Sequence, residues 1–327
     1  MRPHLKNTVR GLYVLERGGY TNVLLQYLFA AKLSDLFGNL LIFGQNSHRL
    51  AWVRTCASRP ILAPSIPLQD PPISEVVDTL RQFAFVSFKY RNVPSQLEML
   101  PDWRRSNDLI PHFSKPTYLA SDTELLINVR GAEILGDCHP DYGPVPINFL
   151  VSVVQDTGLD PVFLGQLGND YYSKALKSAF PSAKFISSGG ADSDFEAIRS
   201  ANHILPSVST FSWLATWLSK ARSIHLPVLG MLNPLQRQDT WLLPLSEPRY
   251  HFYQFPIRYW KASNEQKQDV LSGANTPRMI HRSELNRLNS QNQFSRVPLR
   301  SAAVQRLRSS SDIASKLRFL NSIKVAL

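Results

Sequence analysis

Three short stretches hold residue types that could handle a phosphorylated ligand, and each falls where a strand is expected to give way to a helix. The first is Arg17-Gly18-Gly19-Tyr20-Thr21-Asn22. Glycines let a backbone approach a ligand closely, and a helix starting just after them offers free N–H groups and its positive dipole end to a phosphate. The same residues also make an ordinary turn capped by Thr21 or Asn22. The second is Asn128-Val129-Arg130-Gly131-Ala132-Glu133, which sets a guanidinium and a carboxylate just past a strand end. Arg130 can grip two phosphate oxygens there. Without a ligand it pairs with Glu133 at the surface, which contributes little. The third is Ser207-Val208-Ser209-Thr210-Phe211-Ser212-Trp213, where Ser209, Thr210 and Ser212 crowd a helix start. Converging hydroxyls and N–H groups suit a pyrophosphate, and they suit plain N-capping equally well.

Two further groupings invite a metal and do not sustain one. In Asp192-Ser193-Asp194, Ser193 followed by Glu196 ahead of an apolar run matches a capping box, which assigns the acids to the helix start. Cys138, His139 and Asp141 fall short of the usual four-ligand set. No metal site is expected.

The elements that position these stretches follow from periodicity. Residues 9–15 read as a strand, 23–37 as a helix closed by Gly38, and 40–43 as a second strand, which makes a βαβ unit. The proline-rich stretch 54–120 yields only a helix near 73–83. From 125 the pattern is regular: strand 125–129, helix 147–157, strand 161–164, helix 170–179, strand 184–186, helix 194–201, strand 203–206 and helix 211–219. Such alternation implies parallel strands with right-handed crossovers, hence a Rossmann-like layered domain. Ligands of such sheets sit beyond the carboxyl ends of the strands, so the loops after 129, 164, 186 and 206 are the places to look.

Length and composition set the frame. At 327 residues with 43% apolar content the chain suits two packed domains, and two cysteines, Cys56 and Cys138, suit a reducing compartment rather than a disulfide framework. The first 17 residues hold no apolar stretch of export-signal length. Residues 23–43 carry Gln26, Lys32, Asp35 and Asn39, against a bilayer span. A soluble or peripheral protein is expected. Of the net charge of +11, seven units lie after Ala262, where eleven Lys and Arg face four acids. That Ser-, Asn-, Gln- and Arg-rich tail is expected to be disordered. Near its end Ile313, Leu317, Leu320 and Ile323 recur among Lys and Arg as in a basic amphipathic helix, which could touch an anionic membrane or a partner. Only Phe294 and Phe319 could stack on bases there, which argues against nucleic acid.

Taken in order, the three stretches resemble the bacterial α-1,2-fucosyltransferase family and its inverting, GDP-fucose-dependent relatives. Gly18-Gly19-Tyr20-Thr21-Asn22 through Ala30 is similar to the family's Gly-Gly-x-x-Asn-Gln turn and aromatic, Ala-rich helix, with Val23 replacing the glutamine. Arg130 keeps its place in a His-x-Arg-Arg-x-Asp motif from which Asn128 and Glu133 depart. Asp194, Ala201 and Ser209-Thr210-Phe211-Ser212-Trp213-Leu214-Ala215 are similar to the third motif. The resemblance covers about residues 10–230. It implies a GT-B fold, two Rossmann-like domains facing across a cleft, here 1–122 on the acceptor side and 123–261 on the donor side, followed by the tail 262–327. It implies a glycosyltransferase that needs neither metal nor cofactor beyond its nucleotide-sugar co-substrate, GDP-fucose foremost. Arg130 would bind the β-phosphate of the donor, with Ser209, Thr210, Phe211 and Ser212 at its pyrophosphate and base. Asp194 would meet the nucleotide, and Gly18, Gly19 and Asn22 would reach the donor from the other domain. A sugar hydroxyl needs a general base, for which Glu133 is the candidate and Asp141 and His139 the reserves. The acceptor would be a glycan or lipid-linked glycan of a surface polysaccharide, and the setting the cytoplasm or the inner face of the membrane. The alternative is a non-catalytic relative that binds sugar nucleotides or glycans.

Overall fold

The computed structural model describes residues 11–37, 40–56, 65–67, 85–89, 96–273 and 277–295. The chain forms two α/β units with separate sheets, one reaching Ile110 and the other spanning Pro111–Ser295. Gly38, the helix expected near 73–83 and the amphipathic pattern of 313–323 lie outside the described residues.

In the first unit β1 (Gly11–Val14), β2 (Leu41–Gly44), β3 (Arg54–Thr55), β4 (Ser65–Pro67) and β5 (Phe85–Lys89) lie in the order β3-β2-β1-β5-β4, each pair parallel. The crossover helix α1 (Tyr20–Phe37) starts three residues earlier than its apolar spacing predicts. Leu24, Leu25, Tyr27 and Leu28 are all fully buried, so α1 is covered on every side and shows no polar stripe. Tight packing explains Gly44, where a Cβ would stand 2.1 Å from the Tyr27 hydroxyl. The short helix α2 (Trp103–Leu109), capped by Asp102, returns to this unit when Trp52 Nε1 donates to Leu109 O at 2.9 Å.

The second unit is a seven-stranded sheet: β6 (Glu124–Val129), β7 (Asp160–Gly165), β8 (Lys184–Ser187), β9 (His203–Leu205), β10 (Ser223–Val228), β11 (Tyr250–Gln254) and β12 (Arg278–Met279). Their order is β12-β11-β10-β9-β6-β7-β8, parallel except for β12. Helices α3 (Ile147–Thr157), α4 (Tyr171–Ala179), α5 (Ala191–Ser200) and α6 (Thr210–Leu218) are the expected crossovers, within three residues at each end. The core joins Leu125, Leu126 and Ile127 of β6 to Phe163, Phe195, Ile198 and Trp213. Strands covered on both faces read as nearly unbroken apolar runs, which is why this half is so regular in sequence.

Two regions differ from expectation. β10 and β11 occupy a stretch assigned no strand, and the expected tail is ordered as far as Ser295 through α7 (Asn264–Ser272) and α8 (Arg282–Ser295). The Ser263 hydroxyl caps α7 by accepting from Gln266 N, and Val270 is fully buried where α7 packs on α3. Burying that side chain contributes about 2 kcal/mol, and Asn148 Nδ2 of α3 donates to Ser272 O at 2.9 Å at the end of α7. Helices α7 and α8 both belong to the second unit, which runs from Pro111 to Ser295. Among the described residues no helix is long and apolar enough to cross a membrane.

Candidate functional site

The second unit reverses its strand order at β6: β7 and β8 lie on one flank, β9, β10 and β11 on the other. The loops leaving β6 and β9 therefore run to opposite flanks, the place where ligands usually sit in such sheets. Asn128, near the end of β6, ties its neighbours together. Its Nδ2 donates to Leu164 O of β7 at 3.2 Å, and its Oδ1 accepts from the Ser207 hydroxyl beyond β9 at 2.8 Å. The chain of bonds continues from Ser207 Oγ to Ser209 Oγ at 3.2 Å. Ser209 Oγ accepts from Ser212 N at 3.1 Å, and Ser212 Oγ accepts from Ser207 N at 3.0 Å. Asn128 thus ties the turn to the sheet.

The same bonds engage two of the hydroxyls expected at a pyrophosphate. Ser209 and Ser212 are buried and spend their side chains inside the turn, Ser209 as the cap of α6. Thr210 and Phe211, at the start of α6, are half-buried.

Arg130 follows β6 directly. Gly131 packs so closely on the β7 loop that a Cβ would stand 2.6 Å from Gln166 O, and its N–H donates to Gln166 Oε1 at 3.0 Å. Ala132 then adopts a left-handed backbone, φ 49°, a conformation costing about 1 kcal/mol for a residue with a Cβ. Beyond it Glu133 meets Arg130, with Nη2–Oε1 at 2.8 Å. The guanidinium holds the Glu133 carboxyl below its usual range, which makes it a weaker base while the pair lasts. On its other side Arg130 lies over the Tyr142 ring, 5.0 Å from the centroid. Arg130, Asn128, Ser207 and Gly143 border a recess of about 10 Å³, room for a single water.

The reserve bases are committed elsewhere. Asp141 is buried and accepts from Gln236 Nε2 at 2.9 Å and Arg237 Nη1 at 2.8 Å. His139 Nδ1 accepts from Asp141 N at 3.2 Å. Sequence reasoning missed Gln236 and Arg237, which lie nearly a hundred residues away and follow no periodic pattern.

Asp194 is fully engaged. Its oxygens accept from Thr117 Oγ1 at 2.7 Å, Ser188 Oγ at 2.5 Å and Gly189 N at 2.9 Å, so it shapes the β8–α5 turn. The expected capping box is absent: α5 starts at Ala191, ahead of Ser193. Glu196 instead accepts from Phe113 N at 3.1 Å and pairs with His112 Nδ1 at 2.5 Å, while Arg199 Nη1 donates to Pro111 O at 3.1 Å. With Thr117 N donating to Ser193 O, these bonds lace residues 111–117 onto α5. Among the described residues no three His, Cys, Asp or Glu gather as a metal site.

In the first unit the glycine turn also follows a central strand at a reversal of order, β1 between β2 and β5. Gly18 has φ 86°, and a Cβ there would stand 2.8 Å from Asn22 Nδ2, so Asn22 folds over the turn. Neither Thr21 nor Asn22 is the cap: the Gly19 carbonyl accepts from Asn22 N and Val23 N at 3.0 and 3.3 Å. Gln26 braces the turn from behind, its Nε2 donating to Arg17 O at 3.1 Å and its Oε1 accepting from Arg17 N at 3.3 Å. Gly18 and Gly19 stay exposed.

No protein-family model and no curated protein matches the chain. Several solved structures are similar in shape. The glycosyl transferase family 9 structure from Veillonella parvula DSM 2008 has TM-score 0.44 at 10% identity, covering 89% of this chain and 99% of its own. E. coli ADP-heptose LPS heptosyltransferase II has TM-score 0.43 at 13%, covering 86% and 99%. A mutant of Arabidopsis thaliana FUT1 in complex with GDP has TM-score 0.42 at 12%, covering 68% and 71%. Likeness at this level carries no chemistry, and the reading of the site rests on its residues.

Proposed function

We propose that this chain is a glycosyltransferase of the GT-B kind, taking its sugar from a nucleoside-diphosphate donor whose diphosphate meets Arg130 and the N-terminus of α6. The observation that supports this most is the place of Arg130: it stands where the strand order reverses, beside a turn whose own hydroxyls are turned inward. In the reaction an acceptor oxygen attacks the anomeric carbon as the bond to the diphosphate breaks. The electron pair leaves with the diphosphate, and Arg130 opposes the charge that develops. When Arg130 turns to phosphate it releases Glu133, whose basicity recovers and which can then take the proton of the acceptor hydroxyl. On this reading the acceptor is a glycan or lipid-linked glycan, no cofactor is needed beyond the co-substrate, and GDP-fucose is the first donor to test, on the strength of the motif resemblance alone.

A thermal-shift panel of GDP, ADP, UDP, CDP, GDP-fucose and GDP-mannose, on wild type and Arg130→Ala, tests the reading. A ligand at a hundred times its Kd stabilises by about 2.7 kcal/mol. Selective stabilisation lost in Arg130→Ala supports the site, whereas equal stabilisation of both proteins sinks it. The tie between Glu133 and Arg130 also favours a second reading, a binding protein without turnover. A stabilising donor that is never cleaved to its nucleoside diphosphate in the presence of glycan acceptors would establish that one.

A further inference from the structure

The segment 140–145 is held far more firmly than a surface loop requires. The Asp141 carboxylate takes its two donors, Gln236 Nε2 and Arg237 Nη1, from the loop after β10, and Asp141 O accepts from Met231 N of the same loop at 3.0 Å. Gly230 has φ 55°, and a Cβ there would stand 2.3 Å from Asp141 O, so only glycine lets the two loops approach this closely. Pro140 O accepts from Trp260 N at 2.8 Å, Pro144 O from Arg258 Nη2 at 3.0 Å and Val145 O from Tyr172 OH at 2.5 Å. Gly143, Pro144 and Val145 of this fixed segment line the small recess beside Arg130, and Tyr142 sets its ring against the Arg130 guanidinium, 5.0 Å from Cζ to the centroid.

We propose that Tyr142 is the positioning residue of Arg130: its ring fixes the plane of the guanidinium while the N–H edge exchanges Glu133 for a phosphate of the ligand. This rests on the reading that Arg130 meets a diphosphate. The division of labour follows from the shape of the group. The N–H donors of a guanidinium lie at its edge, whereas a cation is attracted to the face of a ring, so contact with the Tyr142 face holds the cation without calling on a carboxylate. A carboxylate does the opposite and occupies the donors that the ligand needs. Tyr142 therefore restrains Arg130 in both states of the exchange.

The test replaces Tyr142 with phenylalanine and with mono-, di- and trifluorinated phenylalanines, which drain the ring face of negative charge at nearly constant shape. Dissociation constants for GDP, ADP and inorganic pyrophosphate are measured by calorimetry alongside melting temperatures, in the wild-type and Arg130→Ala backgrounds. Expected is binding by Tyr142→Phe within about twofold of wild type, then stepwise weakening with each fluorine to about tenfold overall, with the melting temperature unchanged. The series should be flat in Arg130→Ala, where the cation is gone. A flat series in the wild-type background, with binding lost in Arg130→Ala, overturns the role of Tyr142 and leaves the diphosphate site standing. Binding that survives Arg130→Ala undiminished overturns both.

Discussion

The two units each place a turn beyond their central strand at a reversal of strand order, and they build those turns from opposite materials. In the first, Gly18 and Gly19 leave an exposed strip of backbone, braced from behind by Gln26. In the second, Ser207, Ser209 and Ser212 close a buried ring of hydrogen bonds anchored to Asn128, and a charged side chain, Arg130, stands beside Asn128 against the Tyr142 ring. One turn offers shape, the other charge at a fixed point. The same topology therefore dictates where a ligand can sit and leaves open what holds it.

That contrast can be broken by experiment, and the largest effect should fall on Arg130. Arg130→Ala is expected to slow sugar transfer about 10²- to 10³-fold in an assay of nucleoside diphosphate release, whereas Gly18→Ala should cost less than tenfold. Comparable losses would mean that the glycine turn contributes more than shape. Next come two glycines of like backbone and unlike surroundings. Gly230→Ala, driven into the fixed carbonyl of Asp141, should destabilise by about 3 kcal/mol in denaturant unfolding; Gly18→Ala meets the movable amide of Asn22 and should cost about 1 kcal/mol. Ser209→Ala should cost about 1 kcal/mol through loss of the α6 cap, with a further loss of ligand affinity only if the buried ring positions the turn.

The smallest effect is a pH dependence at the opposite end of β6. Burial pushes the Glu124 carboxyl up, but hydrogen bonds from Lys184, Ser121 and Tyr118 outweigh it and bring the pKa to about 2. A carboxyl lowered in the folded state contributes stability that is full above its unfolded value, near 4.3, and is lost as pH falls toward about 2. Melting temperatures of wild type and Glu124→Gln should therefore converge across that window, and parallel curves would remove the effect.

The sequence reading succeeded where burial on both faces imposed a simple pattern, from β6 to α6. It missed β10 because Pro227 sits inside the strand, paired with Tyr253 of β11, and a proline without its N–H argues against a paired position. It missed α7 because that helix buries a single valine and has no apolar stripe to read. Ser193 and Glu196 mimicked a capping box by spacing, while the structure spends Glu196 on residues distant in sequence, His112 and Phe113. The position of Arg130 just past a strand was legible in the sequence. The grip on Asp141 was not, because contacts between two irregular loops leave no period to read.

The lacing of residues 111–117 onto α5 bears on how this chain could be recombined. Pro111 and Phe113 are bound through their backbones, and Thr117 through both backbone and hydroxyl, so this segment is part of the second unit although it reads as the connection to it. A chimera that keeps the second unit and exchanges the first should be joined ahead of Pro111. A junction placed at 122, where the strand pattern begins, would take Thr117 from Asp194 and His112 and Phe113 from Glu196, and is expected to destabilise the graft for reasons unrelated to Arg130.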